Sequence, residues 1–175
     1  MKILAPLALL LAASPATAEI VHADNHDFEV NQSAEVRIAP RDALLAFTRV
    51  ADWWVRDHTY SGNTANLSLD ARPGGCFCEK FPGGGGIEHL RVIYYEPGKY
   101  LIMSGAMGPL LHEAVNGIMI VHVDPAPGGA SLSMNYRTSG YANGGGDKFA
   151  KAVDAMLAET IASYKAFANG PALRR

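Results

Sequence analysis

The sequence predicts an α+β domain in which a curved antiparallel sheet of about seven strands is closed by one long C-terminal helix. Three observations predict it. Apolar residues recur at Phe149, Val153, Met156, Leu157, Ile161, Tyr164 and Phe167, the three-and-four spacing of a continuous helical stripe. The chain from Phe28 to Tyr141 reads instead as short strand-like runs separated by glycine, proline and aspartate turns. Strands grouped ahead of a helix, not alternating with helices, favour an antiparallel sheet with the helix laid on one face. Such a stripe must be buried, and the sheet is the surface large enough to receive it, so the arrangement is expected to enclose a pocket.

The first element is not part of that domain. Lys2, the apolar run Ile3 to Ala13 and the small residues Ala16-Thr17-Ala18 form the pattern of a signal peptide, residues 1–18, with cleavage expected after Ala18. The run is too short to span a bilayer, and no second apolar segment of spanning length follows. A soluble periplasmic or secreted protein is therefore expected, with no integral membrane segment in its mature form. Removing Lys2 moves the formal charge from -2 to -2 - 1 = -3. A mildly acidic chain without a basic stripe excludes nucleic acid as an expected partner.

A polar lead-in is expected over 19–27, one domain over 28–168 and a tail over 169–175. Phe28, Val30, Ala34, Val36 and Ile38 alternate with polar residues, giving a half-buried strand. Pro40 then suits a first helical turn, so one or two short helices are expected between Ala39 and Trp54. Strands follow at Asn66–Ala71 and Cys76–Phe81. The glycines 83–86 connect the latter to a strand at Ile87–Tyr95, and Glu96-Pro97-Gly98-Lys99 turns the chain into Tyr100–Ala106. Glu113–Val123 and Ala130–Thr138 complete the sheet. Asp147 is the expected N-cap of the long helix.

Several side chains are candidates for a site. Of Trp53 and Trp54 only one ring can point to the core, leaving the other as a pocket wall or lid. His58 lies in the loop after them and suits a gate or an acid–base group. Glu79 and His89 form the one acid–base pair that can be assembled. A hairpin closing about Gly84 sets them opposite each other on one face, with Phe77 and Arg91 beside them. A carboxylate next to an imidazole in an apolar cup can be a structural ion pair, or can act as orienter and base. Met156 and Tyr136 belong to the methionines and tyrosines available to line an adaptable cavity. His58, Glu79 and His89 are zinc-ligand types but lack ligand spacing, and His22 and His26 fall in the polar lead-in, so no metal is expected. The glycine runs match no nucleotide loop, so no cofactor is expected. Cys76 and Cys78 would sit about 6.6 Å apart in a regular strand, long for a disulfide. They are either two small thiols or an easily reduced disulfide made possible by a bulge after Gly74-Gly75.

Trp53-Trp54, His58-Thr59-Tyr60-Ser61-Gly62, Asn66-Leu67-Ser68-Leu69, Gly74-Gly75-Cys76-Phe77-Cys78-Glu79, His89 and Gly108-Pro109-Leu110 together carry a resemblance. In these segments, and in element order from Phe28 to Phe167, the chain resembles the SRPBCC superfamily of START and birch-pollen-allergen-like proteins, in its polyketide cyclase/dehydrase-like or heat-shock-ATPase-activator-like branch. The resemblance implies a helix-grip fold and a cavity for a small apolar or amphipathic ligand. Non-catalytic binding, with Trp53, Trp54, His58, Phe77, Glu79, His89, Arg91, Tyr136 and Met156 as ligand-binding residues, is the expected function. The alternative is a cyclase, dehydratase or hydrolase using Glu79 and His89.

Overall fold

A computed structural model of the protein describes residues 19–173, so the expected leader, residues 1–18, lies outside the described residues. In chain order the elements are β1 (Glu19–Ala23), β2 (Asp27–Val36), α1 (Pro40–Thr48), α2 (Val50–Trp53), β3 (Leu67–Leu69), β4 (Cys76–Lys80), β5 (Gly86–Glu96), β6 (Tyr100–Ser104), β7 (Ala114–Ala126), β8 (Gly129–Tyr141) and α3 (Gly146–Ala168). The strands form one antiparallel sheet in the order β1-β2-β8-β7-β6-β5-β4-β3. The fold class is the expected α+β, with one strand more than expected.

The additional strand is β1, in the stretch read as a polar lead-in. Every side chain of β1 is exposed, and it is held by backbone pairing to β2 at the sheet edge. An edge strand with neither face buried carries no apolar alternation to reveal it. The α3 start also differs from expectation. Its N-cap is Gly145 at φ 91, with Asp147 inside the first turn. The Asp147 N–H donates to the Asp24 carbonyl at 2.8 Å, so the β1–β2 turn supplies the cap that a side chain would otherwise give.

The α3 stripe packs on the inner face of the sheet through Ala150, Val153, Leu157, Ile161 and Tyr164, all buried. Phe149, Met156 and Phe167 sit at its margins, half-buried. Polar ties fix its position. Gln32, wholly buried on β2, donates to the Asp154 carboxylate at 2.6 Å. The Tyr164 hydroxyl donates to the Ala43 carbonyl of α1 at 2.9 Å, and burial holds that phenol well above the usual tyrosine range. Beneath α3, Phe77, Leu90, Met103, Met119, Met134 and Leu157 fill the space so closely that the void among them is about 10 Å³, at the limit of what one water needs. The middle of the grip is therefore solid core, and open space lies toward one end.

Candidate active site

The open space is a cavity of about 490 Å³ where three segments converge on α3. The loop after α2 supplies Trp54, Asp57, His58, Thr59 and Tyr60; the turn after β6 supplies Met107, Gly108 and Pro109; α3 supplies Ala152, Val153 and Met156; and β5 supplies His89. The α2 loop is braced within itself and tied to α3 and to the turn after β6. Trp54 Nε1 donates to the His58 carbonyl at 3.0 Å, His58 Nε2 lies 2.9 Å from Glu159 Oε2 on α3, and the Tyr60 hydroxyl donates to the Gly108 carbonyl at 2.8 Å.

The third tie is Glu79. Its carboxylate accepts from the Tyr60 N–H at 3.1 Å and from the Ser61 N–H, and lies 3.1 Å from His89 Nε2. Both partners are buried, Glu79 at 1% exposure and His89 at 5%. Burial pushes the Glu79 carboxyl up, but the hydrogen bonds from Ser61, Tyr60 and His89 outweigh it and hold the group below the usual glutamate range. Burial pushes His89 down, and the opposing pull of Glu79 does not fully restore it. The resting state is thus an anionic Glu79 and a neutral His89. That assigns the ring proton to Nε2, donating to Glu79, and leaves Nδ1 as a lone-pair acceptor. Among the described residues the contact of Nε2 with Glu79 is the hydrogen bond the His89 ring makes.

The local backbone explains why His89 faces inward. Glu79 pairs with Ile87 and Cys78 with Glu88, but Phe77 pairs with Leu90, so the register slips by one residue and His89 is left without a partner in the ladder. It is the extra residue of a β-bulge. The hairpin therefore does not close about Gly84 as expected. The observed partner of Glu79 is two positions from the expected one, which preserves the face, and the diagonal still brings the two side chains together. Beyond the bulge the alternation inverts, so Leu90 and Val92 turn inward and Arg91 turns out. Arg91, expected in the cup, instead binds Glu88 and donates to the Gly74 carbonyl at 3.1 Å on the outer face.

Of the other expected site residues, Trp54, His58 and Met156 line the cavity with His89. Trp53 is the core member of its pair, its Nε1 donating to the Ala46 and Phe47 carbonyls at 3.2 and 3.1 Å. Phe77 lies one layer down, its ring centroid 4.8 Å from His89 and 4.9 Å from Trp54. Tyr136 is buried away from the cavity. Its ring covers Gly117, where a Cβ would meet it at 2.6 Å, and its hydroxyl accepts from the Met107 N–H at 3.1 Å and donates to the Gly105 carbonyl at 3.0 Å. Burial pushes this phenol up to about 12, and its effect on the site is to hold the Met107–Pro109 rim. Tyr60, Ser61, Gly108 and Pro109 stood within the segments that carry the resemblance, but composition and periodicity give them no role. Their positions depend on hydrogen bonds between loops distant in the chain.

His58 does not join Glu79 and His89, and its Nε2 lies against Glu159 on α3 instead. Among the described residues, two other groupings bring three metal-ligating side chains within 4.8 Å: His22, Asp24 and Asp27 at the β1–β2 turn, and Cys76, Cys78 and Glu88 on the outer sheet face. In the second the sulfurs are joined as a disulfide, with Cα atoms 5.4 Å apart. That resolves the two open readings of these cysteines in favour of the bond, and the slip between Phe77 and Cys78 supplies the irregularity it requires.

Solved structures match this fold. Protein MLL2253 from Mesorhizobium loti is similar over 79% of this chain and 95% of its own, at 15% identity and a TM-score of 0.56. CalU16 from Micromonospora echinospora is similar over 90% of each chain, at 12% identity and a TM-score of 0.57. EF2215 from Enterococcus faecalis, described as a conserved protein of unknown function, is similar over 89% of this chain and 78% of its own, at 11% identity and a TM-score of 0.56. They share its fold. At these identities the likeness extends to the antiparallel sheet with its C-terminal helix and no further. No family model matches the chain, and no curated protein matches it. Among the described residues no helix is long and apolar enough to cross a membrane.

Proposed function

We propose that the protein binds a small apolar or amphipathic molecule in the cavity at the end of α3, and that it is an SRPBCC-type, START-like helix-grip protein. One observation carries the reading: an open cavity of about 490 Å³, within the range of small-molecule sites, has largely apolar walls and a single buried polar group, His89, at its base. Trp54, Met107, Pro109, Val153 and Met156 supply the apolar surface, and the free Nδ1 would accept a hydrogen bond from the ligand. Ala152 is exposed to the cavity, so Ala152→Trp would fill the space without disturbing the core. It is expected to weaken binding of the neutral fluorophore N-phenyl-1-naphthylamine at least about tenfold, or about 1.4 kcal/mol, with unfolding stability within about 0.5 kcal/mol of the parent. Equal affinity in the variant would place the ligand elsewhere. Native mass spectrometry of protein from its own host would show the natural ligand.

A second reading, acid–base catalysis in the same cavity, is favoured by the Glu79 and His89 contact. A neutral imidazole oriented by a buried carboxylate presents its free nitrogen as a general base. Because Glu79 raises the His89 titration against burial, Glu79→Gln is expected to move it further down in an NMR titration. An unchanged or raised value would show that the pair is not coupled and would remove the catalytic reading. We further propose export, with residues 1–18 as a cleaved leader; N-terminal sequencing of material recovered from the host should begin at Glu19, and a retained Met1 would refute it.

A further inference from the structure

We propose that Cys76–Cys78 is a reversible thiol–disulfide exchange site on the outer face of the sheet, and that its reduction loosens the cavity wall formed by His89. The exchange step stands independently of the binding reading above. The two cysteines are half-buried on the side of β4 opposite the core, while Phe77 between them and Glu79 after them point inward. A reductant can therefore reach the sulfurs without opening the core. Glu88 offers a carboxylate oxygen within 4.8 Å of both sulfurs, and it is paired with Arg91, so a released thiolate meets a neutralised ion pair in place of a bare anion.

The coupling to His89 follows from where the bond sits. A regular strand would hold these Cα atoms about 6.6 Å apart, whereas the cross-link gathers them to 5.4 Å. The gathered step is the one where β4 slips against β5 and leaves His89 unpaired. The disulfide thus fastens the bulge from outside, and the Phe77 ring, 4.8 Å from His89 and 4.9 Å from Trp54, fastens it from inside. Freed to extend, Cys76 to Cys78 shifts Phe77 beneath both cavity residues.

The reaction needs a dithiol as electron donor. One of its thiolates attacks Sγ of either cysteine, the S–S bond breaks, and the other cysteine leaves as a thiolate that takes up a proton. The donor's second thiol, after losing its proton, attacks the mixed disulfide and frees the first cysteine as a thiolate, which is protonated in turn. Two electrons and two protons pass to the protein, and the donor becomes a disulfide.

The test treats the folded protein with dithiothreitol in native buffer, then traps thiols with iodoacetamide. Two alkyl groups are expected by intact mass; alkylation only after urea would overturn the exchange site. Reduction is also expected to change the ring 15N shifts of His89, and identical shifts in the two redox forms would overturn the coupling. Affinity for N-phenyl-1-naphthylamine should fall about fivefold, at the low end of measured site-to-site couplings. By reciprocity, saturating fluorophore should lower the midpoint potential by about 20 mV, that fivefold change at 29.6 mV per tenfold. The C76S/C78S double variant should reproduce the reduced His89 shifts without reductant, and shifts matching the oxidised protein would count against the coupling. Failure of the fluorophore to bind either form would count against the cavity reading alone, since alkylation and the His89 shifts decide this one.

Discussion

Replacing Glu79 by alanine is expected to cost about 3–5 kcal/mol of unfolding free energy, because it leaves three donors without their acceptor at about 1–3 kcal/mol for each that stays unsatisfied. The cost has named sources. The Tyr60 and Ser61 N–H groups and His89 Nε2 all direct their hydrogens at this carboxylate, and a methyl in its place satisfies none of them. Glu79→Gln should lose less, because its amide oxygen still accepts while its amide nitrogen faces a donor. Urea unfolding measures both, and a loss below about 1 kcal/mol for the alanine variant would mean that water replaces the carboxylate. The pH profile gives a second check. Because the folded pKa of Glu79 lies below its unfolded value, its contribution is complete above the unfolded value and is lost as pH falls through the folded one. The alanine variant should lack that part of the acid limb.

Leu157→Asp is expected to be at least as damaging, at several kcal/mol, because it places a charge with no partner among apolar side chains. Leu157 is at 0% exposure and shares the void of about 10 Å³ with Phe77, Leu90 and Met134, leaving no room for compensating water. Thermal and urea unfolding should show the variant largely unfolded at ambient temperature. A melting temperature near the parent's would mean that this face of α3 is not buried.

These two residues also mark how far the sequence could be read. Leu157 was legible because helical burial repeats in the chain itself: the stripe from Phe149 to Phe167 declares its inner face before any partner is known. Glu79 and His89 were legible as a pair but not in register. Hairpin pairing depends on how many residues the glycine turn consumes and on whether a strand carries a bulge, and neither leaves a periodic signal. The diagonal contact survived because a shift of two positions keeps the face, whereas the inversion at His89 put Arg91 outside. The two adjacent apolar-facing positions, His89 and Leu90, are the trace such a bulge leaves. Residue type alone points to Tyr136 as a ligand contact. Its actual partners, Gly105, Met107 and Gly117, come from two other segments and could not be inferred from its own strand. β1 leaves no signal in the sequence because backbone pairing at an edge makes no demand on side chains.

The sheet order has a consequence for how the chain assembles. From β3 to β8 each strand pairs with its neighbour in sequence, so these hairpins can form from contacts close along the chain. β2 pairs locally only with the edge strand β1; its link to the rest of the sheet is β8, on the order of a hundred residues later, and pairings of such span close slowly. Until β8 is in place, the β1–β2 hairpin is not joined to the main sheet, and α3, which bonds to β2 through Gln32 and Asp154, has only part of its seat. The strand made first among the long ones is thus among the last to be locked. For that interval the stripe of α3 and the unpaired edge of β8 stand open together, which makes the delay before β2 docks the period of greatest exposure to self-association.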